Sequence, residues 1–160
     1  MTEYIRGLKS GVMSGLIFGI INALVAVFIY WFMLESMPGK MSEGLIEMGI
    51  YSSSILIPGK IIFGIIGGVV FGLIFAAFYN KLPGSKPIVN AFLIAIIYWL
   101  IFSVITGLFY RFYYFILIGI TYIYGITYIV DVIIGFIMYQ FWGFLLVIFW
   151  NKYSEKQKKV

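Results

Sequence analysis

Long uncharged, mostly apolar runs alternate with short clusters of charge along the whole chain. Ser10–Leu34, Ile61–Asn80, Pro87–Tyr110 and Val132–Asn151 hold no Asp, Glu, Lys or Arg and span 25, 20, 24 and 20 residues. About 20 apolar residues in a helix cross a hydrocarbon core about 30 Å thick. The pattern predicts an all-α integral membrane fold, a single transmembrane domain over 1–160 with helices at about 10–34, 61–80, 88–110 and 132–150. A fifth uncharged run, Phe112–Val130, is 19 residues long and is either another span or something lying outside the bundle.

The few charges decide between these. Lys and Arg concentrate in cytoplasmic loops. With four spans and a cytoplasmic N-terminus, the inner side holds Arg6, Lys9, Lys81, Lys86, Lys152, Lys156, Lys158 and Lys159; the outer side holds Lys40, Lys60 and Arg111. Eight against three is a stronger bias than five spans give in either orientation, the better of those being seven against four. Both termini are therefore expected in the cytoplasm, in a multi-pass protein of the cell membrane. Segment 111–131 then lies on the outer face. It carries a tandem hexad, Gly119–Tyr124 then Gly125–Val130, rich in Ile, Thr and Tyr. Those residues favour strands, but an open strand edge cannot face lipid. An aromatic cap, a re-entrant piece or an interfacial helix is expected, with Tyr113, Tyr114, Tyr122, Tyr124 and Tyr128 at headgroup level.

Proline and glycine mark the expected breaks. Pro38-Gly39-Lys40, Pro58-Gly59-Lys60 and Pro83-Gly84-Ser85 each read as a turn, since Pro presets φ and Gly permits φ > 0. Between the first two, Met41–Leu56 reads as a short connector helix with Glu43 and Glu47 on one face. The first apolar run is longer than the core of a signal peptide and ends in no small-residue cleavage site, so it is read as a retained helix.

The strongest local pattern is a four-residue glycine repeat. Gly7, Gly11, Gly15 and Gly19 recur in the first span, followed by Ala23; Gly64, Gly68 and Gly72 recur in the second, followed by Ala76. A four-residue step returns to nearly the same helix face. Such faces let backbones approach closely in lipid. Gly135 and Gly143 place small residues on the fourth span. Helix packing is the expected use, within the chain or against a second copy or another membrane protein. A weaker repeat links the halves. Gly64, Gly72, Phe78, Asn80 and Lys81 match Gly135, Gly143, Phe149, Asn151 and Lys152 at an offset of 71, and Asn22-Ala23 matches Asn90-Ala91 at an offset of 68. Two parallel helical hairpins are a reading consistent with this.

Composition then removes chemistries. The chain is 63% hydrophobic, 21% aromatic and 11% charged, less than half the charge of an ordinary soluble domain. It has no Cys and no His, which excludes disulfides, thiolate nucleophiles, Cys/His zinc sites and His-based triads. No catalytic residue, cofactor or metal site is expected. The net charge of +5 flanks apolar runs rather than forming a patch among exposed aromatics, so the bilayer and not nucleic acid is the expected partner. The mid-span polar residues Asn22 and Gln140 are expected to meet, because an unpaired amide in lipid is costly. Proton-coupled four-helix exporters carry a carboxylate in the first membrane helix; this first span has none, Glu35 lying past its end.

Around Tyr79-Asn80-Lys81-Leu82-Pro83-Gly84-Ser85, continuing through Trp99, the chain resembles small uncharacterised polytopic membrane proteins of archaeal type. That resemblance implies no activity. The expected function is that of a non-enzymatic structural or accessory membrane protein working through helix packing. The first alternative is a small transporter or channel, monomeric or oligomeric; the second is an intramembrane enzyme, which would need convergent carboxylates near the outer face from Glu35, Glu43, Glu47 and Asp131. A polar path through Asn22, Ser103 and Gln140 would favour transport; a dry, Gly-packed core would favour the accessory role.

Overall fold

The computed structural model describes residues 3–35, 42–82, 86–105, 107–109 and 123–155, with side chains described for 3–29, 57–82, 86–105, 107–109 and 132–154. These residues are all-helical, apart from the turn after the second helix. The helices are α1 (Glu3–Glu35), α2 (Ser42–Phe78), α3 (Pro87–Trp99) and α4 (Ile123–Glu155). A π-helical segment, Leu100–Ile105, continues α3. Four stretches are long and apolar enough to cross a membrane: Glu3–Ile29, Ile57–Phe78, Pro87–Phe109 and Val132–Ser154.

Two sequence expectations need correction. Pro58-Gly59-Lys60 is not a turn, and 42–56 is not a separate connector helix; both belong to the 37-residue α2, Met41 lying outside the described residues. Proline withholds one N–H and crowds the carbonyl four residues earlier. That carbonyl belongs to Ser54, which precedes the apolar stretch Ile57–Phe78. The helix nonetheless passes through Pro58. At 1.5 Å per residue α2 runs roughly 55 Å, well beyond a hydrocarbon core.

The second correction concerns 111–131. Its last part, from Ile123, is the beginning of α4 and includes the second hexad, Gly125–Val130. It is neither a strand nor a separate interfacial element, and the fourth helix is 33 residues long rather than confined to 132–150. Residues 110–122, with Tyr113, Tyr114 and Tyr122, lie outside the described residues.

α1 packs on both α2 and α4, α4 also packs on α3, and α2 touches α3 more lightly. The glycine stripes of α1 and α2 face one another in antiparallel register. Gly7 meets Gly72, Gly11 meets Gly68 and Gly15 meets Gly64, four residues up one helix for four down the other. A Cβ at Gly64 would lie 2.6 Å from Gly15 O and 2.7 Å from Gly19 Cα. In a bilayer, where lipid supplies no hydrophobic drive between helices, such close van der Waals contact of backbones is what binds them. Both stripes are thus used up inside the chain.

The core beside this seam is aromatic. Phe18, Phe71, Phe75, Tyr98, Trp142 and Trp150 are all buried. Tyr98 is its hub: it stacks on Phe71 at 4.2 Å and meets Tyr139, Trp142 and Phe102 edge-on at 4.5, 5.1 and 5.1 Å. Offset and edge-to-face ring pairs each add about 0.5–1.5 kcal/mol beyond area burial. Gly67 makes room for this hub, since a Cβ there would overlap the Tyr98 hydroxyl.

Candidate functional site

Two stripes run side by side up α1. One is the glycine stripe against α2. The other, one residue earlier, is Arg6, Ser10, Ser14, Phe18 and Asn22, again four apart. This second stripe faces α4: Arg6 bonds to Trp150, and the Phe18 ring packs on Tyr139 at 5.2 Å. Ser10 and Ser14 are fully buried on it. Each hydroxyl donates back into its own helix, Ser10 Oγ to Arg6 O at 2.8 Å and Ser14 Oγ to Gly11 O at 3.2 Å. The serines thereby act as small, satisfied spacers and offer no free polar group to the seam.

Toward the other end, the polar groups are dispersed. Ser103, on the π-helical segment, lies near the Tyr139 hydroxyl. It also sits against Gly135, where a Cβ would lie 2.7 Å from Ser103 Oγ. Trp99 Nε1 donates to Val132 O at 3.0 Å. In this segment Phe102, although exposed, meets Tyr98 and Phe71 edge-on, while Ser103 lies against Gly135 of α4. Nothing in Leu100–Ile105 announces it, for the segment has neither Gly nor Pro.

Asn22 and Gln140 do not pair. Gln140 Nε2 is buried and has no hydrogen-bond partner among the described residues. Register explains why. Arg6 opposes Trp150 and Phe18 opposes Tyr139, so α1 and α4 are antiparallel. Asn22, a turn beyond Phe18, falls opposite residue 135 or so, more than a turn from Gln140. Both residues are half-buried. Phe18 and its aromatic partners stand between Asn22 and the buried serines, so these groups form no continuous polar path.

The helix ends that carry Arg6, Tyr79 and Trp150 come together differently. Arg6 Nε donates to Trp150 O at 2.7 Å while its guanidinium lies 3.9 Å from the centre of the Trp150 ring. A cation over indole is attracted by about 0.5–2 kcal/mol. Tyr79 packs on the same indole at 5.1 Å, and Phe75 meets it edge-on at 4.9 Å. Asn90 is buried and donates Nδ2 to Tyr79 O at 3.1 Å, fixing the turn that follows α2.

Here the offset-71 repeat becomes physical. Phe78-Tyr79-Asn80-Lys81 and Phe149-Trp150-Asn151-Lys152 each set a lysine over the phenylalanine three residues earlier, at 5.8 and 6.0 Å. Their second aromatics, Tyr79 and Trp150, touch each other. The offset-68 match has no such counterpart, because Asn90 is bonded at a helix end while Asn22 lies well inside α1. The repeated glycines also differ in use: Gly64 and Gly72 meet glycines, whereas Gly135 meets Ser103 and Trp99, and Gly143 meets Ala91 and Ala95. Sequence reading missed Arg6, Ser10 and Ser14 as a stripe, although their four-residue spacing was visible.

Among the described residues, no group of three acidic, His or Cys side chains is placed to hold a metal ion. The carboxylates Glu35, Glu43, Glu47 and Asp131 lie outside the described side chains. No family model, curated protein or solved structure matches the chain.

Proposed function

We propose that the chain is a multi-pass protein of the cell membrane with both termini in the cytoplasm, acting as a non-enzymatic structural or accessory component through helix contacts. The closed interior carries this reading. Glycine faces are sealed against each other, the centre is filled by rings, and the serines on the α1–α4 seam are satisfied by their own helix. A conduit needs polar groups in series; here Phe18 interrupts the stripe between Ser14 and Asn22. With its own glycines engaged, the protein would meet others through the outward apolar faces of the helices.

Purified protein in proteoliposomes should pass neither ions nor small solutes above the level of empty vesicles. A saturable flux lost in Ser103→Leu or Gln140→Leu would replace this reading with transport. Topology has its own test. The chain lacks cysteine, so a single cysteine introduced at Lys156 should react with an impermeant maleimide only after the cells are opened.

A further inference from the structure

We propose that Arg6, Tyr79 and Trp150 form a binding site for the phosphate of an anionic phospholipid at the membrane face holding both chain termini. The inference rests on the membrane reading and adds a ligand to it.

Arginine at a lipid surface ordinarily keeps its rotamers free. Arg6 is pinned. Its Nε is committed to Trp150 O, and its plane lies over the indole. These two contacts leave the terminal Nη edge, with its four N–H donors, free of any further hydrogen bond among the described residues. An arginine edge of this kind matches two oxygens of a phosphate, and orienting it beforehand reduces the entropy lost on binding. Tyr79 packs on the same Trp150 indole that holds the guanidinium, and its hydroxyl is a donor an anion can use. Glu3, one turn earlier on α1, is the acidic group that faces Arg6; it is exposed and forms no ion pair with it among the described residues.

Depth identifies the phosphate as a lipid's. Arg6 stands one turn before the uncharged stretch that begins at Ser10, and Trp150 stands two residues before Lys152. The partly exposed guanidinium and phenol are therefore placed at headgroup level, with the buried indole beneath them as their platform. Exposed Lys9 and Lys152 flank the site and raise the local potential. Each basic residue near an anionic surface contributes about 1 kcal/mol. Ile5, next to Arg6 on α1, is an exposed apolar residue at the same level.

The test uses the full chain in mild detergent, titrated with phosphatidylglycerol or phosphatidylcholine of equal chain length and read by native mass spectrometry. One phosphatidylglycerol per chain should bind about tenfold more tightly than phosphatidylcholine, and Arg6→Gln should remove that preference. Arg6→Lys keeps the charge but loses the fork, and should retain only part of the preference; it serves if Arg6→Gln fails to fold. Lys60→Gln, at the far end of the α1–α2 seam beside Gly19, should leave the preference intact. Equal binding of the two lipids, or a preference unchanged in Arg6→Gln and Arg6→Lys, would overturn the proposal. So would displacement of the lipid by millimolar inorganic phosphate, which would make this a free-anion site. Failure of the membrane reading would look different: the chain would not sediment with membranes after a carbonate wash, whatever it bound in detergent.

Discussion

The first hairpin, α1 with α2, and the second, α3 with α4, solve the same problem at different distances. In the first, backbone meets backbone along four turns, and glycine faces glycine at nearly every step. In the second, the glycines of α4 receive side chains: Ser103 and Trp99 at Gly135, Ala91 and Ala95 at Gly143. The first seam is continuous and has no slack. The second is a series of local fits, supplemented by a directed bond from Trp99 to Val132. Glycine costs about 0.8–1 kcal/mol relative to alanine within a helix. The first hairpin accepts that cost repeatedly and offsets it by contact, whereas the second relies more on that hydrogen bond and on rings.

The largest expected effect follows from that lack of slack. In Gly68→Ala the new Cβ would lie 2.7 Å from Gly15 Cα and would run into Gly11 O. Both neighbours are backbone and cannot rotate away, so the helices must separate along much of the seam. We expect a net loss of about 3 kcal/mol after the gain in helix propensity, measured by reversible unfolding in mixed micelles. A loss below about 1 kcal/mol would show that the two helices are less closely packed than the structure has them.

The matching change in the second hairpin should cost less. In Gly143→Ala the Cβ would lie 3.0 Å from Ala95 Cβ and 3.1 Å from Ala91 O. A shift of a few tenths of an ångström accommodates it, and propensity returns part of the cost. The expected loss is about 1 kcal/mol in the same assay. If Gly143→Ala proved as damaging as Gly68→Ala, the distinction between the two seams would collapse.

How much of this the sequence disclosed depends on how local each determinant is. The glycine stripes were legible because a four-residue period fixes a helix face without reference to anything else. Their pairing with each other needed the register. The four apolar helices were legible from charge spacing, but their ends were not, because a helix can continue where lipid stops. Pro58 was misread as a turn because Pro-Gly signals a turn only by local preference, and α2 continues through it. Asn22 and Gln140 were matched by their positions within uncharged runs, but the contacts Arg6–Trp150 and Phe18–Tyr139 set them more than a turn apart. The π-helical segment left no signal in its residue types. Arg6, Ser10, Ser14 and Phe18 did leave one, hidden beside the louder glycine period.

Gly59 carries the smallest expected effect, with the opposite sign. It follows Pro58 inside α2, one residue before Lys60, and a Cβ built there would have no neighbour within 4 Å. Unlike Gly64, Gly68 and Gly72 further along the same helix, it makes no close approach. Its glycine therefore incurs the entropic cost without a contact to offset it. Gly59→Ala should stabilise the chain by about 0.5–1 kcal/mol, read as a higher unfolding midpoint in mixed micelles. Because Gly59→Ala and Gly68→Ala make the same substitution on the same helix, propensity is common to both, and the difference between them measures the seam. A destabilising Gly59→Ala would mean that α2 bends at Pro58-Gly59 in a way that needs glycine, and that the helix is not the single rigid rod its hydrogen-bonded length suggests.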